Sequence, residues 1–347
     1  MTASAGVAKD PRPSDGTADT NGGPPDWPDE LARVFDRAVT VEYTSLTRTG
    51  RPVMVPVTPY VGLSTLDVST GLTYPAKAER ARHNPRVCLL YSDDVGSGLD
   101  RPPVVLVHGL ARVRDADLQA NTDRYVRLTF AKLPAAMRGT PGFVLGRLGA
   151  YFARIWIEVT PTRIWWWEST ALDRPPRGWS APAGATGAPA DPEPAGRRPG
   201  PWLPTPEDWR PAARRAVARL GHRDLAWRGA DGWPYSVPVA EVREDPVGFR
   251  VRLGAYLPDK PQGPACLTCH THTPTFTTQE NHSFVGDISP TDDGYLFRVE
   301  RVLADVSLQG NRVVRTLGFL SKVRRLQSRL EHEARRRGQP VPVVRLP

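Results

Sequence analysis

Two stretches of this chain carry the same short motifs in the same order. Asp26-Trp27 recurs as Asp208-Trp209. Gly50-Arg-Pro-Val-Met-Val-Pro-Val57 recurs as Gly232-Trp-Pro-Tyr-Ser-Val-Pro-Val239. Both pairs are separated by 182 residues. Arg86-Val-Cys-Leu-Leu-Tyr-Ser92 lines up with Pro264-Ala-Cys-Leu-Thr-Cys-His270 at a separation of 178, and Val107-His108-Gly109 resembles Phe284-Val285-Gly286. A separation that drifts by only a few residues is what a duplicated domain with altered loops produces. The long period excludes a solenoid, whose units repeat every ~20–50 residues.

Proline marks where the copies begin and end. The 347 residues include 37 prolines, roughly twice the usual share. Nine of them fall between Ala171 and Pro204, among Ala and Gly, where no helix interior or central strand can form. Residues 1–25 are small, polar and Gly/Pro-rich, and read as a disordered tail. The expected plan is a first domain over 26–170, a linker over 171–204, a second domain over 205–310 and a C-terminal helix over 311–338. Three cysteines rule out a disulfide framework. The N-terminus lacks the apolar core of a signal peptide, and no apolar run is long enough for a membrane span, so a cytoplasmic protein is expected.

Within the first copy, alternation and β-branching predict a hairpin over 39–47 and 51–61, and strands at 63–69, 86–91 and 103–113. Residues 151–168 read as a strand pair or one long bent strand. Helices are expected at 77–83 and 115–133. Many short strands with two helical insertions predict a small, mostly antiparallel barrel. The copies differ at one place. The first has the basic helix Lys-Ala-Glu-Arg-Ala-Arg-His between its strands, where the second has Leu-Gly-Ala-Tyr-Leu-Pro-Asp-Lys-Pro-Gln-Gly-Pro, whose prolines forbid a helix.

That helix opens a candidate anion site. Ser69 and Thr70 end a strand, Gly71 turns the chain, and Lys77 and Arg80 share one helix face near its free backbone donors. A net charge of +9 suits an anionic ligand without choosing one. A solvated basic helix is the alternative. The hairpin motif through Val57, then Lys77, then Asn84-Pro85-Arg86-Val87, then Gly109-Leu110-Ala111 together resemble the pyridoxamine 5′-phosphate oxidase-like, or flavin-binding split-barrel, superfamily. The likeness covers about residues 30–168 and, more weakly, 222–308. It implies a mostly β chain with helices, folded as two split β-barrels that form an internal pseudodimer. It implies FMN as cofactor, with the deazaflavin F420 as the close alternative and non-covalent haem as a more distant one. Lys77 then matches the phosphate-holding lysine, Ser69 and Thr70 the strand-end hydroxyls, and Arg51 and Arg80 further anion contacts. The implied activity is hydride transfer to or from a small organic substrate, by a monomer or weak homodimer. A non-catalytic flavin- or haem-binding protein is the other reading.

The string Cys266-Leu-Thr-Cys-His270 resembles a covalent haem attachment site. On a strand, however, Cys266 and Cys269 face opposite ways and cannot share a haem or a metal, so no metal site is expected. Strand period instead puts Cys266, Thr268, His270 and His272 on one side. With His282 on the next strand, His270 and His272 form a candidate substrate-binding or proton-transfer group facing the cofactor. Satisfied structural histidines are the alternative. Alternation through Trp165-Trp166-Trp167 sends at least one indole towards the second domain, the linker or a ring ligand. The C-terminal helix sets Val313, Leu317, Leu320, Val323, Leu326 and Leu330 on one face and arginines on the other. A solvated face is expected there, not a nucleic-acid contact, since no aromatics interleave with the basic residues.

Overall fold

The computed structural model describes residues 27–137, 149–182, 184, 189–197, 200, 205–303 and 323–346. The tail over 1–25, half of 183–204 and the start of the C-terminal helix lie outside them. In the first half, α1 (Asp29–Arg37) precedes the hairpin β1 (Val41–Leu46) and β2 (Pro52–Val57). There follow β3 (Tyr60–Val61), β4 (Leu66–Gly71), α2 (Ala76–His83), β5 (Arg86–Tyr91), β6 (Val104–Arg114), α3 (Leu118–Lys132), β7 (Arg154–Trp167) and β8 (Arg177–Ser180). The second half has α4 (Arg210–Arg219), β9 (His222–Arg228), β10 (Pro234–Pro238), β11 (Glu241–Asp245), β12 (Gly248–Arg252), β13 (Gly263–His272), β14 (Gln279–Thr291) and β15 (Gly294–Val302). The helix α5 (Val323–Arg336) follows.

Each half is one curled antiparallel sheet, and the two share a strand order. The first runs β2-β1-β5-β6-β7-β4-β3, with β8 added beside β7; the second runs β10-β9-β13-β14-β15-β12-β11. Both orders are open, so neither sheet closes into the barrel that the sequence led us to expect. The registers repeat as well. Ser45 pairs with Val53 and Trp227 with Tyr235, each residue of the second pair lying 182 beyond its counterpart. Cys88 pairs with His108, and Cys266 with Val285. Both hairpins turn at a glycine with positive φ, +76° at Gly50 and +80° at Gly232, a conformation that disfavours any Cβ. Both sheets also bulge at one place, between His108 and Gly109 and between Val285 and Gly286. There the neighbouring strand comes so close that a Cβ would lie 2.9 Å from the Thr160 carbonyl oxygen at Gly109 and 1.8 Å from that of Arg298 at Gly286.

Inward residues alternate along the strands, as a half-buried sheet requires. Val41, Tyr43, Val87, Leu89, Val105, Val107, Ile155 and Ile157 fill the first interior, and Leu225, Trp227, Leu267, Phe249, Phe284 and Phe297 the second. The other faces of β1, β2, β5 and β6 meet those of β9, β10, β13 and β14. Cys88 Sγ lies 3.0 Å from Ser236 Oγ in this seam. Its counterpart contact is the Met54 amide donating to Cys266 Sγ at 3.5 Å, so the seam follows the same twofold pattern as the sheets.

Two segments depart from expectation, and a third takes one of the two forms expected of it. Residues 171–204 are more than a linker, because β8 extends the first sheet and Asp191 accepts from the Asp115 and Ala116 amides at 2.7 Å. Within the expected 151–168, Arg154–Trp167 form one long strand, which takes up the bulge opposite His108. The described part of α5 docks on the first sheet, where Leu330 and Ala334 join that core. Its arginines are not all solvated. Arg336 and Arg337 are buried against Glu333, and Arg337 also pairs with Asp115 at 2.8 Å. Trp166 enters the first core, while Trp167 donates to the Tyr256 carbonyl at 3.0 Å in the second half. No described helix is long and apolar enough to cross a membrane.

Candidate functional site

Helix α2, inserted between β4 and β5, follows the end of β4 by one short turn. Thr70 Oγ1 donates to the Tyr74 carbonyl at 2.7 Å and closes that turn, with Ser69 half-buried just before it. Ala78 and Ala81 bury one face of α2 in the core. This turns Lys77 and Arg80 to the flanks. Arg80 Nε donates to Ser45 Oγ on β1 at 2.9 Å. Arg154, at the start of β7, pairs across from Gly71. It donates to Tyr125 Oη at 2.7 Å, and its Nε is buried without a hydrogen-bond partner.

Lys77 is half-buried, and no hydrogen bond or ion pair engages its amine among the described residues. Burial, then the charges of Arg80 and Arg154, pull its pKa down to about 7. No carboxylate contributes to that shift. The amine of Lys77 thus sits beside two arginines with no partner of its own among the described residues. Beside it an open cleft of about 420 Å³ is lined by the basic Arg48, Arg80, Arg82 and His83 and by the acids Glu79 and Glu193. Arg51 is elsewhere engaged: it pairs with Glu300 at 2.6 Å and lies 3.7 Å from Asp287, joining the two halves at the rim of the seam. Four of the five expected anion contacts thus cluster around the β4–α2 turn and Arg51 does not.

The histidines separate in the same way. His270 and His272 do face the seam, as strand period requires. His282 pairs across from Cys269, whose side chain enters the second core, so it points away from them. Its Nε2 is buried 3.7 Å from Glu280. The two seam histidines meet acids in a closed interior instead of lining an open cleft. His270 Nε2 lies 2.8 Å from Glu42 Oε1, and His272 Nε2 lies 2.9 Å from Asp93 Oδ2. His222 and Asp224 from β9 complete the group, with His222 Nε2 3.2 Å from Asp224 Oδ2.

Burial dominates the charges here. It pushes Glu42 up to about 7, against the pull of His222, and raises Asp224 too. It also drops His270 to about 3, helped by His222. His222 is raised to about 10, because Asp224, Glu42 and Asp93 outweigh its desolvation. Reading the chain alone missed Glu42, His222, Asp224 and Asp93. A signal was available: Glu42 and Asp224 are acids inside hydrophobic strands, and they are separated by the same 182 residues as the hairpins. The cysteines are packing groups. Cys266 contacts Met54, Cys269 faces the second core, and neither approaches the other's side of β13.

No family model and no curated protein sequence matches this chain. Among solved structures, it is similar to an F420 reductase at 16% identity and a TM-score of 0.29, over 38% of this chain and 92% of the other. General Stress Protein 26 from Bacillus anthracis aligns at 14% identity and a TM-score of 0.30, over 44% and 97%. The heme storage protein HutZ from Vibrio cholerae aligns at 13% identity and a TM-score of 0.28, over 38% and 87%.

Proposed function

We propose that the first half binds the phosphate of a flavin-class cofactor at the β4–α2 turn, and that the chain is an oxidoreductase built on that cofactor. The observation that carries this reading is Lys77, a half-buried amine set beside Arg80 and Arg154, with no hydrogen bond or ion pair to it among the described residues. A bound phosphate monoester would give the Lys77 amine a partner, and charge-assisted hydrogen bonds to it are among the stronger polar contacts. Lys77 and Arg80 would hold the phosphate, with Ser69 and Thr70 ordering the turn beneath it. The cofactor class comes from the resemblance in the hairpin, Lys77 and Asn84-Pro85-Arg86 motifs. FMN is the first choice and F420 the alternative. Such a ring, when bound, supplies hydride transfer itself; the protein contributes placement and exclusion of water.

The second half has no counterpart of α2, so one cofactor per chain is expected, in a monomer whose two sheets act as an internal pair. Titration of the purified protein with FMN, F420 and haem, followed by absorbance and fluorescence, tests the reading. One of the two flavin-type cofactors should bind with one site per chain. Lys77→Ala should weaken it about 10- to 100-fold, the equivalent of one charged hydrogen bond. Equal affinity of wild type and Lys77→Ala for every cofactor would remove the assignment.

A further inference from the structure

The buried group in the seam offers four ligand atoms to a single point. Glu42, His222, Asp224 and His270 each present one nitrogen or oxygen, and all four atoms lie within 4.8 Å of one another. Glu42 comes from the first sheet and the other three from the second. We propose that these four residues form a closed, tetrahedral site for a first-row divalent cation, zinc foremost, which fastens the two sheets together.

Geometry is the first argument. Metal–nitrogen and metal–oxygen bonds of about 2.0–2.2 Å in a tetrahedron set the ligands roughly 3.3–3.6 Å apart. The neighbouring ligand separations bracket that range: 2.8 Å from His270 Nε2 to Glu42, 3.2 Å from His222 Nε2 to Asp224 Oδ2, and 3.9 Å from His270 Nε2 to Asp224 Oδ2. Two imidazoles and two carboxylates suit zinc among the metals that accept mixed nitrogen and oxygen ligands.

Proton accounting is the second argument. Glu42 and Asp224 are both fully buried. Asp224 Oδ2 has no hydrogen bond, although His222 stands 3.2 Å away. Ser92 Oγ lies 3.1 Å from Glu42 Oε2 and 3.0 Å from Asp224 Oδ1, yet a hydroxyl has one proton and can satisfy only one of them. Two buried carboxylates short of donors are costly, and a dication balances both charges at once. The third argument is the surrounding shell. His270 directs Nε2 to the centre while its Nδ1 lies 3.8 Å from Asp93 Oδ2. At 3.8 Å this carboxylate is an electrostatic neighbour of the ring and not its hydrogen-bond partner; its charge favours the Nδ1–H tautomer, which leaves Nε2 free to ligate. All four positions are filled by protein, which marks a structural site and not a catalytic one.

The full-length protein should be stripped with a chelator, incubated with Zn²⁺ alone, desalted and assayed for metal by mass spectrometry and for thermal stability. Wild type should retain one zinc per chain and melt at a higher temperature than the stripped form, because the ion binds only the folded state. Glu42→Gln and His222→Ala should lower zinc affinity by more than about 100-fold. Asp93→Asn, which leaves every ligand in place, should lower it by about 10- to 100-fold. His332→Ala, on the C-terminal helix, should change nothing. Since the seam variants can fail to fold, Co²⁺ is loaded into wild type in parallel. Intense visible bands of a tetrahedral cobalt centre support the site, and a weak octahedral spectrum overturns it. Substoichiometric zinc in wild type, or zinc retained at full affinity by folded Glu42→Gln and His222→Ala, would equally overturn it. FMN and F420 titrations do not depend on this outcome, so each reading can fail alone.

Discussion

The two halves share a strand order, paired registers, a glycine hairpin turn and a bulge, and they part company at two connections. Between β6 and β7 the first half carries α3, where a tight turn joins β14 to β15 in the second. Between β4 and β5 the first half carries α2. Between β12 and β13 the second carries residues 253–262, an irregular connection whose prolines exclude a helix. The sheets recur because turns and hydrophobic alternation specify them, and those constraints are local and redundant. The β4–β5 connection is free to change because few inward residues depend on it. An anion seat can therefore exist in one half only, on a frame common to both. The seam shows a second kind of divergence. Its carboxylates Glu42 and Asp224 occupy equivalent places, while Ser92 in one half faces His270 in the other. A symmetric frame with unequal side chains produces one asymmetric polar centre where a homodimer would have two equal ones.

The largest effect expected from breaking this correspondence lies at the bulges. A methyl group at Gly286 would meet a backbone oxygen at 1.8 Å, whereas at Gly109 the closest atom, at 2.4 Å, is a side-chain methyl of Val159 that can shift. Gly286→Ala should cost about 3 kcal/mol, the upper end of overpacking, and Gly109→Ala nearer 1–2 kcal/mol. Chemical denaturation of both variants measures this. A greater loss at Gly109 would mean that the two bulges are not equivalent in depth.

Next comes the difference in connections. Lys260 is the lysine that the second half places in its own β12–β13 connection, and it is exposed. Lys77→Ala should cost about 10- to 100-fold in phosphate-cofactor affinity, and Lys260→Ala should cost nothing measurable. Comparable losses from both would place the anion across the two connections instead of on α2.

These contrasts follow what the chain revealed before its structure was known. The repeated Gly-x-Pro-x-x-Val-Pro-Val motif located both hairpins, and the offsets of 182 and 178 reappear unchanged as strand registers. Local alternation and turn residues are enough for that. Open edges in place of closed barrels were not legible, because closure depends on how far a sheet curls, which no single strand encodes. Lys77, Arg80, Ser69 and Thr70 were found together because they are close in sequence. Arg51 was misplaced because its partner, Glu300, comes from the other half. The seam acids were missed for the same reason: Glu42 has meaning only beside His270, which is 228 residues away.

A smaller effect is expected from pH. Lys77 has a folded-state pKa lowered to about 7 from the usual lysine range. In the free protein its amine is charged below that value and neutral above it. A bound phosphate favours the charged amine and so raises this pKa. Affinity should be greatest near neutrality and fall as pH rises, by up to roughly tenfold per unit until the bound-state pKa is passed. In the same window the unliganded fold gains stability with rising pH, because the unfolded lysine still holds its proton while the folded one has lost it. Titrations between about pH 7 and pH 9 avoid the second ionisation of the phosphate near ~6. A flat profile in wild type, or the same slope in Lys77→Ala, would assign the pH dependence to another group.

The smallest expected effect is none at all, and it asks whether the seam is as tightly closed as the two interiors. The three cysteines sample it well. Cys88 and Cys266 lie in the seam at equivalent strand positions, and Cys269 lies in the second core. All three are fully buried, and burial pushes Cys88 and Cys269 up to about 12 and Cys266 upward as well. A thiol reacts as its thiolate, so neither access nor ionisation favours labelling. At about pH 8 a thiol reagent should modify no cysteine in the native protein and all three in denaturant. At intermediate denaturant the order of labelling distinguishes two ways of coming apart. If the seam and the cores form one cooperative unit, the three residues should lose protection together. Early labelling of Cys88 and Cys266, with Cys269 still protected, would show that the halves separate before either sheet unfolds. The correspondence between them would then be that of two independently stable domains, and stripping the proposed seam metal should enlarge that gap.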